Sequence, residues 1–147
     1  MTEALPHRVA VLEAAFRRVQ AERMQGVPVL HPGIHVEAIG FEVDAAAGGH
    51  TALGVLLTPW FMNLVRLPLQ PAAADEGTAI GSTALHTLGG HRLAFLGCFE
   101  PQVGTFEACS LYSPVLEFAD HAAAAATAHE VLALLRPAPE PSAAPGP

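Results

Sequence analysis

Between Leu96 and Ser113 the chain reads LGCFEPQVGTFEACSLYS, and Pro114 stops it. Two apolar, aromatic and β-branched runs flank a break at Glu100-Pro101-Gln102-Val103-Gly104. That pattern predicts two antiparallel strands, Arg92 to Glu100 and Thr105 to Tyr112, joined by a short loop. Beyond Pro114 the pattern changes to an alanine-rich helix, His121 to Arg136, for which Asp120 is a good N-cap. A hairpin, a hard stop and a capped helix in succession commit the chain to an α+β fold.

The rest of the chain fits that frame. Val9, Leu12, Phe16 and Val19 recur at spacings of three and four, predicting a helix from Leu5 to Met24 with Arg8, Arg17, Arg18, Glu22 and Arg23 on its outer face. Gly26 and Pro28 end it. A weak period of two over Ile34 to Val43 predicts a strand, with Ile34 and Val36 on one face and Ile39 and Phe41 on the other. Thr51 to Thr58 predicts a strand buried on both faces. Pro59 interrupts the ladder with a bulge or bend, and alternation then sends Trp60 and Met62 one way and Phe61 the other. The extended pattern resumes at Leu64 and ends at Pro68 and Pro71. Residues 71–77 read as a loop, Thr78 to Leu88 as a strand or an irregular segment, and Leu88-Gly89-Gly90-His91 as a tight turn. The expected architecture is a mainly antiparallel sheet of five or six strands flanked by an N-terminal and a C-terminal helix. Residues 1–136 form one domain in this reading. The last eleven residues, with five prolines and no large apolar side chain, form a disordered tail.

Composition narrows the function classes. The chain has 51% hydrophobic and 14% charged residues, enough for a sizeable core. Its net charge of −7 comes from 14 acids against 7 arginines, with no lysine. Such a chain repels a nucleic-acid backbone. The start, MTEALPHRVAVLEAAF, lacks the basic and apolar regions of a signal peptide, and no apolar stretch is long enough to span a bilayer. The expectation is a cytoplasmic protein with reduced thiols. Cys98 and Cys109 fall where they face each other across the predicted hairpin.

Candidate chemistry is sparse. His31 and His35 lie four apart, but Pro32 and Gly33 forbid the helix that would converge them on an ion. His50, His86, His91, His121 and His129 fit neither zinc signature, so no metal ligand and no cofactor is assigned. Ser110 and Ser113 lack a nucleophile-elbow context. Neither glycine pair is followed by the Lys-Ser/Thr of a phosphate loop. What remains is Thr58-Pro59-Trp60-Phe61-Met62, an aromatic and methionine patch beside a proline, of the kind that adapts to an apolar peptide.

Three blocks carry a resemblance to a known family: Leu30-His31-Pro32, Leu57-Thr58-Pro59-Trp60, and Phe106-Glu107-Ala108-Cys109-Ser110-Leu111-Tyr112-Ser113-Pro114 continuing into Phe118-Ala119-Asp120. In that order, and over nearly the whole of Val9 to Leu135, the chain resembles the HybE/HupJ family of [NiFe]-hydrogenase expression and assembly chaperones. The resemblance implies an α+β, non-enzymatic accessory factor of hydrogenase maturation. Its implied partners are precursor subunits of a [NiFe] hydrogenase, with proofreading of a twin-arginine-bearing small subunit as one role. Some relatives carry a rubredoxin-like iron domain; this sequence has no Cys-x-x-Cys pair and is expected to bind no iron. The expected partner surface is Thr58, Pro59, Trp60, Phe61 and Met62 with His31 and Pro32, while Phe106, Glu107, Cys109, Ser110, Ser113, Pro114 and Asp120 serve as scaffold. Two other classes fit the residues: a thiol redox factor using Cys98 and Cys109, and a structural subunit whose apolar patch is a permanent interface.

Overall fold

A computed structural model describes residues 4–44, 48–70 and 80–136. The predicted loop at 71–77 and the tail at 137–147 lie outside the described residues. Helix α1 (Ala4–Arg23) is followed by strands β1 (Glu37–Val43), β2 (Thr51–Thr58), β3 (Phe61–Pro68), β4 (Thr83–Leu88), β5 (His91–Glu100) and β6 (Gly104–Tyr112), then helix α2 (His121–Leu135). The six strands form one sheet in the order β1-β2-β3-β6-β5-β4, and every neighbouring pair is antiparallel. The expected fold class is the observed one.

Each helix lies on its own face of the sheet. On the α1 face, Leu12, Phe16 and Val19 pack with Leu56, Val65, Leu67 and Phe106. On the α2 face, Ala124, Ala128, Leu132 and Leu135 pack with Leu53, Val55, Leu57, Leu64 and Phe95. Strand β2 supplies both layers, Val55 and Leu57 to one side and Leu56 to the other, so it reads as a continuous apolar run rather than an alternating one.

Three close approaches shape the sheet. A side chain at Gly54 would collide with the Phe41 ring and approach the Phe41 backbone to 2.8 Å. Gly40 has φ +65 and sits where the β1–β2 register shifts, between Ile39 and Glu42. At that bulge the Leu132 side chain of α2 occupies the space a Cβ at Gly40 would fill. At the opposite edge, the Gly89-Gly90 turn of the β4–β5 hairpin abuts the Leu134 and Leu135 carbonyls. Both edges of the sheet thus approach the C-terminal end of α2.

Four expectations need correction. Arg8 is buried on the core side of α1, one turn before Leu12, because its guanidinium finds backbone acceptors there. Nε donates to the Pro68 carbonyl and a terminal nitrogen to the Val103 carbonyl, each at 2.8 Å. The first strand begins at Glu37 rather than Ile34; Ile34 and Val36 are buried, but on opposite sides of the sheet. Pro59 does not interrupt a strand. It occupies a corner of the two-residue turn between β2 and β3, where its fixed φ suits the reversal and its missing N–H costs no ladder bond. Trp60, also in that turn, therefore escapes strand alternation and lies with Phe61 on the α1 face, while Met62 is buried on the α2 face.

Candidate functional site

The three sequence blocks meet in space, and His31 joins them. Its backbone N–H donates to the Pro59 carbonyl at 2.8 Å. Its Nδ1 accepts from the Gly33 N–H at 2.9 Å, so the ring proton of the neutral form sits on Nε2. Nε2 in turn donates to the Phe118 carbonyl at 2.6 Å. Through its backbone His31 thus ties the loop before β1 to the β2–β3 turn, and through its nearly buried imidazole to the segment entering α2. Pro32 beside it is exposed.

The β2–β3 turn is held from within. The Thr58 hydroxyl accepts from the Trp60 and Phe61 N–H groups at 3.2 and 3.0 Å and donates to the Phe61 carbonyl at 3.3 Å. Thr58, Pro59 and Met62 are buried, whereas Trp60 and Phe61 are half-buried. The Phe61 ring meets both Trp60 and Phe16 edge-on, at centroid distances of 5.5 and 5.8 Å. Of the five residues read as a contact patch, only these two aromatics present appreciable side-chain surface.

The third block is divided between interior and surface. Phe106 packs under α1 against Phe16. Glu107 is buried on the other face, paired with its cross-strand neighbour Arg66 and with His86 Nε2 at 3.1 and 3.2 Å. Ser110 is exposed, as are Ser113 and Pro114, which a cis peptide bond joins. Asp120 caps α2, its side chain accepting from the Ala123 N–H at 2.9 Å.

The cysteines do not face each other. Cys98 lies opposite Phe106 on the α1 face and Cys109 opposite Leu64 on the α2 face. The β5–β6 register, set by the Glu100–Gly104 loop, puts Phe106 rather than Cys109 across from Cys98 and so separates the thiols. Both are free, and burial pushes both above the ordinary thiol pKa; for Cys98 the Glu100 and Glu107 carboxylates add to the effect.

Two features escaped the sequence reading. First, among the described residues nothing covers the α1 face over β4 and β5. Thr83, Leu85 and Thr87 of β4 and Arg92, Ala94 and Leu96 of β5 are exposed there, with Ser110 of β6 alongside. Leu85 is 59% and Leu96 47% exposed. Alternation of Thr83, Leu85 and Thr87 with the half-buried Ala84, His86 and Leu88 was the available signal. Second, His35, Glu37 and His121 converge where β1 begins and α2 starts. His121 Nε2 lies 2.6 Å from a Glu37 carboxylate oxygen. The His35 and His121 rings stack with centroids 3.7 Å apart.

This architecture defines a single-sheet α+β protein with a helix on each face, and the same fold is found in the solution structure of HybE from Escherichia coli. The two superpose with a TM-score of 0.65 over 87% of this chain and 76% of that one; at 20% identity the likeness is one of fold. Residues 7–147 match the family described as [NiFe]-hydrogenase assembly chaperone, HybE, and the chain belongs to that family. Among its relatives, protein HoxT of Cupriavidus necator is 44% identical over 139 residues, 90% of this chain and 78% of that one. The hydrogenase expression/formation protein HupJ of Bradyrhizobium diazoefficiens is 35% identical over 125 residues, 85% and 69% of the two chains. Among the described residues no helix is long and apolar enough to cross a membrane.

Proposed function

We propose that this chain acts in the cytoplasm as a non-enzymatic chaperone that holds a precursor subunit of a [NiFe] hydrogenase before assembly, turning over no substrate. Membership of the HybE family supplies the process. The observation that carries the holding role is the open sheet face. An extended segment would lie across Leu85, Ala94 and Leu96 and reach the half-buried Trp60 and Phe61, with Ser110 between. Thr58, Pro59 and Met62 serve that surface by fixing the turn, and His31 and Pro32 by fixing the loop behind it. Apolar side chains on a sheet, next to aromatics that flex little, suit a partner bound by side-chain packing rather than by charge. The net charge of −7 favours encounter with a basic segment, as the signal of a twin-arginine-bearing small subunit would be.

The test is retention of purified small- and large-subunit precursors on the immobilised chain. The small-subunit precursor is expected to be retained, with at least a tenfold loss for Trp60→Ala or Leu96→Asp. Failure to retain either precursor overturns the reading. Retention undiminished by removal of the signal segment overturns the proofreading part of it.

A further inference from the structure

The geometry points to a divalent transition-metal site at His35, Glu37 and His121. One ligand atom from each of the three lies within 4.8 Å of the others. About 2.0–2.2 Å separates zinc from an imidazole nitrogen or a carboxylate oxygen, so two ligands on one ion lie about 3–4 Å apart. Occupancy requires the His35 ring to turn out of its stack on His121, so that its nitrogen points at the ion.

The three residues are anchored in different ways. Glu37 is the first residue of β1, paired with Leu57 of a strand buried on both faces. His121 opens α2 directly after the Asp120 cap, and only 18% of its side chain is exposed. His35 precedes Glu37 by two residues in extended chain and is exposed, so its ring is free to turn. The Glu37–His121 hydrogen bond alone would account for two of these groups. It leaves unexplained why a second, exposed imidazole lies flat against the first rather than in solvent.

Two imidazoles and one carboxylate are a borderline donor set, suited to zinc, nickel or cobalt rather than to calcium or magnesium. His121 Nδ1 accepts from the His35 N–H at 3.3 Å, and Nε2 carries the proton shared with Glu37. An ion on Nε2 displaces that proton to Nδ1, and the long bond from the exposed His35 N–H is given up to water. Glu37 then binds the ion in place of the proton, and His35 completes three protein ligands with open positions left for water or a partner's side chain. Occupancy would clamp β1 to the start of α2, three residues from the Phe118 carbonyl that His31 already holds.

The experiment is titration of the metal-free chain with zinc chloride by calorimetry and with cobalt chloride by visible absorption. One saturable site is expected, with cobalt bands intense enough to indicate fewer than six ligands. His35→Ala and Glu37→Gln should each weaken zinc at least tenfold, and His91→Ala should leave it unchanged. His35 contributes no side-chain hydrogen bond to the junction, so its variant stays folded even where His121→Ala does not. Absence of a one-to-one site below about 100 µM zinc overturns the assignment. So does a site that survives His35→Ala and Glu37→Gln intact, or one that His91→Ala removes.

Discussion

His31 Nε2 donates to the carbonyl oxygen of Phe118, 87 residues further along the chain, at 2.6 Å. This bond explains why three short blocks far apart in sequence share one structural role. The Leu30-His31-Pro32 loop grips the Pro59 turn through its backbone and the entry to α2 through its ring.

The first prediction tests that bond. His31→Ala leaves the Phe118 carbonyl and the Gly33 N–H without their ring partner, in bonds that are part-buried. A buried polar group that loses its partner costs about 1–3 kcal/mol. For a chain of this size that is a fall in Tm of about 2–4 °C per kcal/mol. Urea unfolding should show a lower midpoint with an unchanged slope; an unchanged midpoint would show that the ring bonds contribute nothing.

Arg66 and Glu107 give the second. They are cross-strand neighbours on β3 and β6, with side chains only 15% and 6% exposed, and His86 reaches the same carboxylate. Glu107→Leu leaves the largely buried Arg66 charge with no carboxylate, only His86 Nε2 at 3.3 Å, a loss of about 3 kcal/mol. Arg66→Met combined with Glu107→Leu should recover most of that, because the desolvation cost disappears with the pair. The double-mutant cycle is the measurement, and strictly additive single losses would contradict it.

These two networks also mark where sequence reasoning stopped. Strand β2 was legible to the residue, because the run from Ala52 to Leu57, closed by a threonine at each end and lying between a glycine pair and a proline, fits a buried strand. The two strands around Glu100–Gly104 and the Asp120 cap were legible for similarly local reasons. Arg8 was misassigned because periodicity places a residue on a stripe but does not reveal backbone acceptors waiting there. Strand alternation misplaces Trp60 because the residue sits in a two-residue turn, where a period of two does not hold. As for the candidate site, the three blocks were visible while their meeting point was not. His35 and His121 are 86 residues apart, and only the register of β1 against β2 with α2 laid over them brings the two together.

A third prediction concerns the start of α2. The Asp120 carboxylate satisfies the Ala123 N–H at the positive end of the helix. Asp120→Ala should cost about 1 kcal/mol, and Asp120→Asn, which keeps the acceptor, only a fraction of that. Chemical denaturation of the two variants distinguishes loss of the cap from a general intolerance at this position. Equal losses would mean that the hydrogen bond is not what Asp120 contributes.

The last prediction separates scaffold thiols from redox thiols. Cys98 and Cys109 lie on opposite faces of the sheet, and burial raises both pKa values above the ordinary 9.0. A folded-state pKa above the unfolded one means that the folded chain holds its thiol protons more tightly. The resulting stability is fully present below pH 9 and is lost as the pH rises through the higher folded values. Urea midpoints of the native chain should therefore fall above pH 9 more steeply than those of a Cys98→Ala, Cys109→Ala variant. At pH 7 both thiols should label slowly with a maleimide in the folded chain and quickly in urea, because the reactive thiolate is scarce and partly covered. Fast labelling of either thiol at pH 7, or an internal disulfide formed under mild oxidation without unfolding, would contradict this placement and revive the redox reading.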